Sequence, residues 1–218
     1  MNNALTPRTR TAILSIVVAG IAVAAILFPA LTASGATAAP VTETVERVAE
    51  PTPSVEEQAI IDWALGLYAE AGLELPAVEI GFYDTKDACE GSKGTYRPQA
   101  DGIARVRVCD WHERAMLRDA WRRKTLVHEL AHAWAHLNLE DAVEIEFTEA
   151  RGLDTWNDRS VAWEQRGTEH AAEVITWGVM DQRMSVDVRI DDTGCDTLTG
   201  AYEMLTGTTP VNGPTHNC

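Results

Sequence analysis

Apolar and polar positions along this chain recur with two different periods, and the change of period marks out its elements. Between Ser54 and Gly72, the apolar residues Ile60, Trp63, Ala64, Leu67 and Ala71 return at helical spacing. Ser54 and Glu57 stand three apart, the spacing at which each side chain satisfies a free backbone N–H at the other position, and Gly72 supplies a left-handed stop. A helix is predicted from Ser54. The period then drops to two. Val78, Ile80 and Phe82 alternate with Glu79, Gly81 and Tyr83, and Ala104, Val106 and Val108 alternate with Arg105, Arg107 and Cys109, which predicts two strands, each with one buried face. The stretch between them, Gly91 to Gly102, is glycine-rich and too long for a tight hairpin turn. Helical spacing returns from Met116 or Asp119 to Leu137, with Val127, Leu130, Ala131 and Trp134 as a core stripe. A third helix is predicted from roughly Thr168 to Met180, with Ala171, Val174, Ile175 and Gly178 inward, and a shorter one near Asp196 to Leu205, ended by Gly207. Strands precede most of the helices, so the expected class is α+β.

The first 40 residues follow another pattern. Arg8 and Arg10 form a positive start, an apolar run extends from Ala12 to Phe28, and Ala36-Thr37-Ala38-Ala39-Pro40 holds the A-x-A spacing of a signal-peptidase site. Residues 1–39 therefore read as a signal peptide or an N-terminal membrane anchor. The run of about seventeen residues is long for a signal and just within spanning range, so both stay open. Residues 40–53, with three prolines and little apolar content, read as a linker, leaving 54–218 as one domain. Either way the domain is expected outside the cytoplasm, secreted or membrane-anchored. The four cysteines fit an oxidising compartment. Three pairings are open, of which Cys89–Cys109 and Cys195–Cys218 are preferred because each closes a local loop. The formal net charge of −15 repels phosphate backbones and argues against a nucleic-acid partner. It serves solubility, with attraction of a basic substrate as the sharper alternative.

The second predicted helix carries the candidate chemistry. Within Thr125-Leu126-Val127-His128-Glu129-Leu130-Ala131-His132-Ala133-Trp134 stands H-E-x-x-H. Residues i and i+4 lie on one helix face, about 6 Å apart at Cβ, so His128 and His132 can converge on one tetrahedral zinc ion. Glu129 can reach a water held by the metal and act as general base at neutral pH. A third protein ligand is needed. His136, at i+8, stands about 12 Å from His128 along the axis and cannot share the ion. Glu169 and Glu173 open the third predicted helix on a shared face. Like charges at that spacing are unfavourable unless a cation lies near them, so one carboxylate could bind zinc while the other fixes a histidine tautomer. Glu149 is the second choice as third ligand, although Glu144, Glu146 and Glu149 lie in a segment without helical periodicity.

In these residues the chain resembles the zincin metallopeptidases, and within them the gluzincin branch. Those proteins combine an H-E-x-x-H helix with a glutamate on a downstream helix and an acidic residue four positions later. The resemblance covers about fifty residues, and the 36-residue gap between His132 and Glu169 is longer than in thermolysin-like members. The metzincin pattern fits less well, since Ala135 and Asn138 stand where it requires Gly and His. The resemblance implies a small zincin-like domain: a short N-terminal sheet, an active-site helix and a second ligand-bearing helix. It implies zinc held by His128, His132 and Glu169, with Glu173 supporting a ligand and Glu129 catalytic. It also implies a sheet edge beside the metal that receives an extended peptide. A strand at residues 103–109 could serve, with Arg105 and Arg107 either facing acidic substrate positions or protecting an edge. His170, Arg166 and Tyr202 are open as the group that stabilises the oxyanion. Trp134, Trp163 and Trp177 are expected in the core, and Trp156 in a loop that could line a substrate cleft.

The expectation is thus an exported zinc-dependent metallopeptidase hydrolysing peptide bonds in a peptide or protein substrate. Two rivals stand beside it: a non-catalytic zinc-stabilised extracellular binding domain, and a zinc amidase acting on cell-wall peptides.

Overall fold

The computed structural model describes residues 49–100, 102–109, 115–186 and 194–218. The expected leader and residues 40–48 of the expected linker lie outside them. Among the described residues, six α-helices and one three-stranded sheet form an α+β domain. None of its helices is long and apolar enough to cross a membrane.

Helix α1 (Val55–Glu70) opens as its sequence predicts. The Ser54 hydroxyl accepts from the Glu57 N–H at 3.2 Å while the Ser54 N–H donates to the Glu57 carboxylate at 2.8 Å. It buries Ile60, Ile61, Ala64, Leu67 and Tyr68. The Tyr68 hydroxyl donates to the Val127 carbonyl at 2.7 Å, tying α1 to the residue before His128.

Strands β1 (Val78–Tyr83) and β3 (Ala104–Cys109) run parallel, and β2 (Gly94–Arg97), from the glycine-rich stretch, pairs antiparallel with β3. The order is β1-β3-β2, so β3 is the central strand. Its inward residues Ala104, Val106 and Val108 are buried, and each fully buried valine contributes about 1.5–3 kcal/mol. On the opposite face, Glu50 is seated against the sheet. Its carboxylate lies 2.8 Å from Arg105 Nε, accepts from Arg107 Nε and Nη2 at 3.1 and 3.0 Å, and accepts from the Tyr83 hydroxyl at 2.6 Å. The two arginines expected at a substrate edge are taken up by this carboxylate.

Helix α2 (Ala115–Asn138) packs on β3 and β2 and, on its other side, on α4 (Gly167–Val179). The expected stripe of α2 is buried: Val127, Leu130, Ala131 and Trp134. Helix α4 is covered on nearly every side, from His170 through Val179, with α5 (Cys195–Thr206) against it. Gly178 permits that contact, since a Cβ there would meet the Tyr202 ring at 2.2 Å. Helix α3 (Asp141–Ala150) is a departure from expectation. It buries only Phe147 and Thr148, so its apolar signal is too short to read as a period, and the segment that looked irregular is helical. Helix α6 (Gly213–His216) closes the chain, and the cysteines pair as preferred, Cys89 with Cys109 and Cys195 with Cys218, with Cα atoms 6.1 and 5.6 Å apart.

Candidate metal centre

The packing of α2 against α4 brings three side chains together. His128 and His132, one turn apart on α2, stand with ring centroids 4.8 Å apart, edge to face. Glu169, in the first turn of α4, places Oε2 3.3 Å from Nε2 of each ring. One donor atom from each residue lies within 4.8 Å of the others, a group that could hold a metal ion. His136 is exposed and stays outside it, its ring 5.9 Å from that of Tyr96. Glu149, the second choice as third ligand, is exposed on α3 and also outside the group.

Glu173 follows one turn after Glu169. Its side chain is only 2% exposed, with Oε1 3.0 Å from His128 Nδ1. A carboxylate there favours a proton on Nδ1 and leaves Nε2 as the ring atom turned toward Glu169 and His132. The other oxygen, Oε2, lies 3.5 Å from the Lys124 ammonium, which also donates to the Ser185 carbonyl at 2.8 Å. The i, i+4 pair of acids is therefore not a mutually repelling surface pair. One faces two imidazoles, and the other is buried between an imidazole and an ammonium. Lys124 had a signal in the sequence, since it precedes His128 by one helical turn and so shares its face.

Charge in this cluster is strongly coupled. Burial alone would push the His128 pKa down, but hydrogen bonds to Glu169 and Glu173 outweigh it and lift it to about 10. For Glu169 burial pulls upward, and its bonds to His128 and His132 win, holding it well below the usual carboxylate range. Without a metal, the two carboxylates thus favour a proton, a cation, on His128. Glu129 moves the other way: burial raises its pKa against the opposing pull of His132 and His128.

Glu129 is buried, yet its carboxylate faces an open cleft of about 1340 Å³ that also takes in His128, His132 and Glu169. Its position depends on a residue to which the sequence reading gave no role. A Cβ on Gly94 would meet Glu129 Oε1 at 2.6 Å and the Thr125 methyl at 2.6 Å, so β2 comes this close to the helix only because residue 94 lacks a side chain. The glycine content of Gly91 to Gly102 was the available signal. Its meaning depended on which helix lay beneath.

The cleft walls correct several expectations. β3 is paired on both sides and offers no edge; β2 is the strand that lines the cleft, from Gly94 through Arg97. Tyr96 on β2 stacks on His132, with centroids 6.5 Å apart and planes 17° from parallel. Burial pushes its hydroxyl pKa to about 12, so the phenol stays protonated. Trp156 lines the cleft as expected. Trp134 and Trp177 are in the core, but Trp163 is 41% exposed on a short 3-10 turn (Trp163–Gln165), with its ring 6.4 Å from His128. Of the three residues open for the oxyanion role, Tyr202 is buried against Gly178 and His170 donates to the Glu164 carbonyl at 2.9 Å; neither lines the cleft. Arg166 does line it, with its guanidinium donating to the Val161 and Arg159 carbonyls. No protein-family model matches this chain, and no curated protein or solved structure matches it.

Proposed function

We propose that this protein is a zinc-dependent peptidase acting outside the cytoplasm. The observation that carries the reading is the convergence of His128, His132 and Glu169 in an open cleft with the carboxylate of Glu129 beside them. Two imidazoles and one carboxylate form a donor set typical of hydrolytic zinc sites, which keep a fourth position for water. Ligand atoms about 2.0–2.1 Å from a tetrahedral centre stand about 3.3–3.4 Å apart. Glu169 Oε2 meets that requirement toward both histidines, at 3.3 Å each. His128 with Nδ1 turned to Glu173 supplies the tautomer a metal needs.

Bound there, zinc would acidify a water molecule and polarise the scissile carbonyl. Glu129 takes up the proton released by the attacking water and delivers it to the leaving amine. Its burial favours this, because a carboxylate with a raised pKa is a stronger base than a solvated one. A cleft larger than an ordinary small-molecule cavity suits an extended chain as substrate. The paired cysteines suit an oxidising compartment.

The deciding experiment is Glu129→Gln, assayed against a peptide library with zinc content measured in parallel. The expected result is full zinc occupancy and a loss of about 10²–10⁴-fold in turnover. Turnover at the wild-type rate would remove Glu129 from the chemistry. A wild-type protein that binds zinc and cleaves nothing would favour a metal-stabilised binding domain instead.

A further inference from the structure

The walls of the cleft carry the opposite charge to the rest of the molecule. The chain has 33 acidic residues against 18 lysines and arginines. Among the described residues, six of those bases line this one cleft: Lys86, Lys93, Arg97, Lys124, Arg159 and Arg166. Five acids among the described residues line it, and three of them, Glu129, Glu169 and Glu173, belong to the candidate centre. Of the other two, Glu90 lies in an ion pair with Arg97, and Glu144 stands on α3. Lys124 is turned inward to Glu173, but the remaining bases stand on both sides of the centre. Lys93 immediately precedes β2, Arg97 is its last residue, and Lys86 stands on the turn before it. Arg159 projects from the loop ahead of α4, and Arg166 holds that loop in place through the Val161 and Arg159 carbonyls.

Lys93 lies 4.3 Å over the Trp121 ring, a cation–π contact that holds its side chain at the wall. The Arg97–Glu90 pair is exposed at both ends, and such pairs bind weakly and exchange readily for another carboxylate. A divalent ion at the candidate centre would add to the same sign. Over the described lining residues and such an ion, positive charge is in excess, and low-dielectric walls concentrate that field on a bound ligand, here against an acidic exterior that disfavours anions elsewhere.

We propose that the cleft selects peptide segments bearing aspartate or glutamate beside the bond held over the centre, read by Arg97 on one wall and Arg159 on the other. This rests on the peptidase reading for its site and reverses the preference that the acidic composition suggested. The test uses the zinc-loaded Glu129→Gln protein, which binds without turning over, and labelled peptides of one length carrying Glu, Gln or Lys at matched positions. Fluorescence anisotropy should show the Glu peptide bound about tenfold more tightly than the Gln peptide, with the gap closing as salt is raised. Adding Arg97→Glu and Arg159→Glu to that protein should abolish or invert the order while zinc content and melting temperature stay unchanged. Equal affinity for the Glu and Gln peptides, or a preference that survives both charge reversals, overturns the proposal. Wild-type protein with the same peptides separates the two readings. Tight binding of the Glu peptide without cleavage would overturn only the peptidase, and cleavage indifferent to charge would overturn only the selectivity.

Discussion

On α2 and α4 the polar residues of the site are set among core side chains, whereas on β2 and the loop before α4 the residues lining the same cleft reach solvent. His128, Glu129 and Glu173 are all less than a tenth exposed and flanked by Val127, Leu130, Ala131, Val174 and Ile175, none of which retains any exposed surface. Across the cleft, Arg97 and Arg159 are exposed, and Trp163 is nearly half so. The two regions hold their side chains by different means. Helix packing fixes the first, because moving one ligand would open a cavity in a close-packed interior. The second depends on a few directed contacts, such as the Arg166 bonds to the loop carbonyls. The proposed hydrolytic role would benefit from rigidity where a metal is held and from accessibility where a substrate is met.

The comparison can be broken most severely from the rigid side. His132→Ala should abolish both zinc retention and cleavage while the domain still melts cooperatively, since His132 lies at the cleft rather than in the core. Metal analysis that found zinc still bound at full occupancy would remove it from the ligand set. Gly94→Ala attacks the junction between the two regions. Its new methyl meets side-chain atoms only, those of Glu129 and the Thr125 methyl, so Glu129 should move while the fold survives. Turnover should fall about 10²-fold, in line with a displacement of about 1 Å at a reacting group, with zinc content unchanged. Undiminished turnover would show that β2 does not position Glu129.

A finer prediction concerns the residue behind the ligands. Glu173→Gln should weaken zinc binding about 10–100-fold in a chelator competition, because the acceptor that fixes the His128 tautomer loses its charge and an amide can turn its NH2 to the ring instead. Unchanged affinity would reduce Glu173 to a partner of Lys124. The smallest effect is one of pH. In metal-free protein the His128 pKa is raised from 6.5 to about 10, so the stabilisation from its carboxylate partners is complete below 6.5 and is lost as pH climbs through 10. Chelator-treated protein should therefore melt progressively lower from pH 6.5 to 10. Zinc-loaded protein, whose His128 must already be neutral to ligate, should lack that contribution. Superimposable melting profiles for the two forms would contradict it.

Much of the local structure was written in the order of residues. The capping box at Ser54, the alternation in β1 and β3 and the stripe of α2 each depend on neighbours within one or two turns, and each element formed where that spacing placed it. His128 and His132 were legible for the same reason, since a single helix fixes their relation. Helix α3 was not, because one buried phenylalanine sets no period. Nor was β2, a four-residue strand with a glycine at its head, which exists because β3 offers it a partner.

The sequence by itself determined that two imidazoles and a carboxylate would share one helix and that a pair of acids would share another. Tertiary structure decided everything that depends on the distance between helices: the approach of Glu169 to both rings, the burial of Glu173 against His128, and the seating of Gly94 over Glu129. It also took Arg105 and Arg107 out of contention by giving them Glu50, and turned β2 rather than β3 toward the cleft. Backbone periodicity acts over a few residues and can be read along a line. The convergence of groups 41 residues apart follows from burying two apolar helix faces against each other, a property of the folded whole.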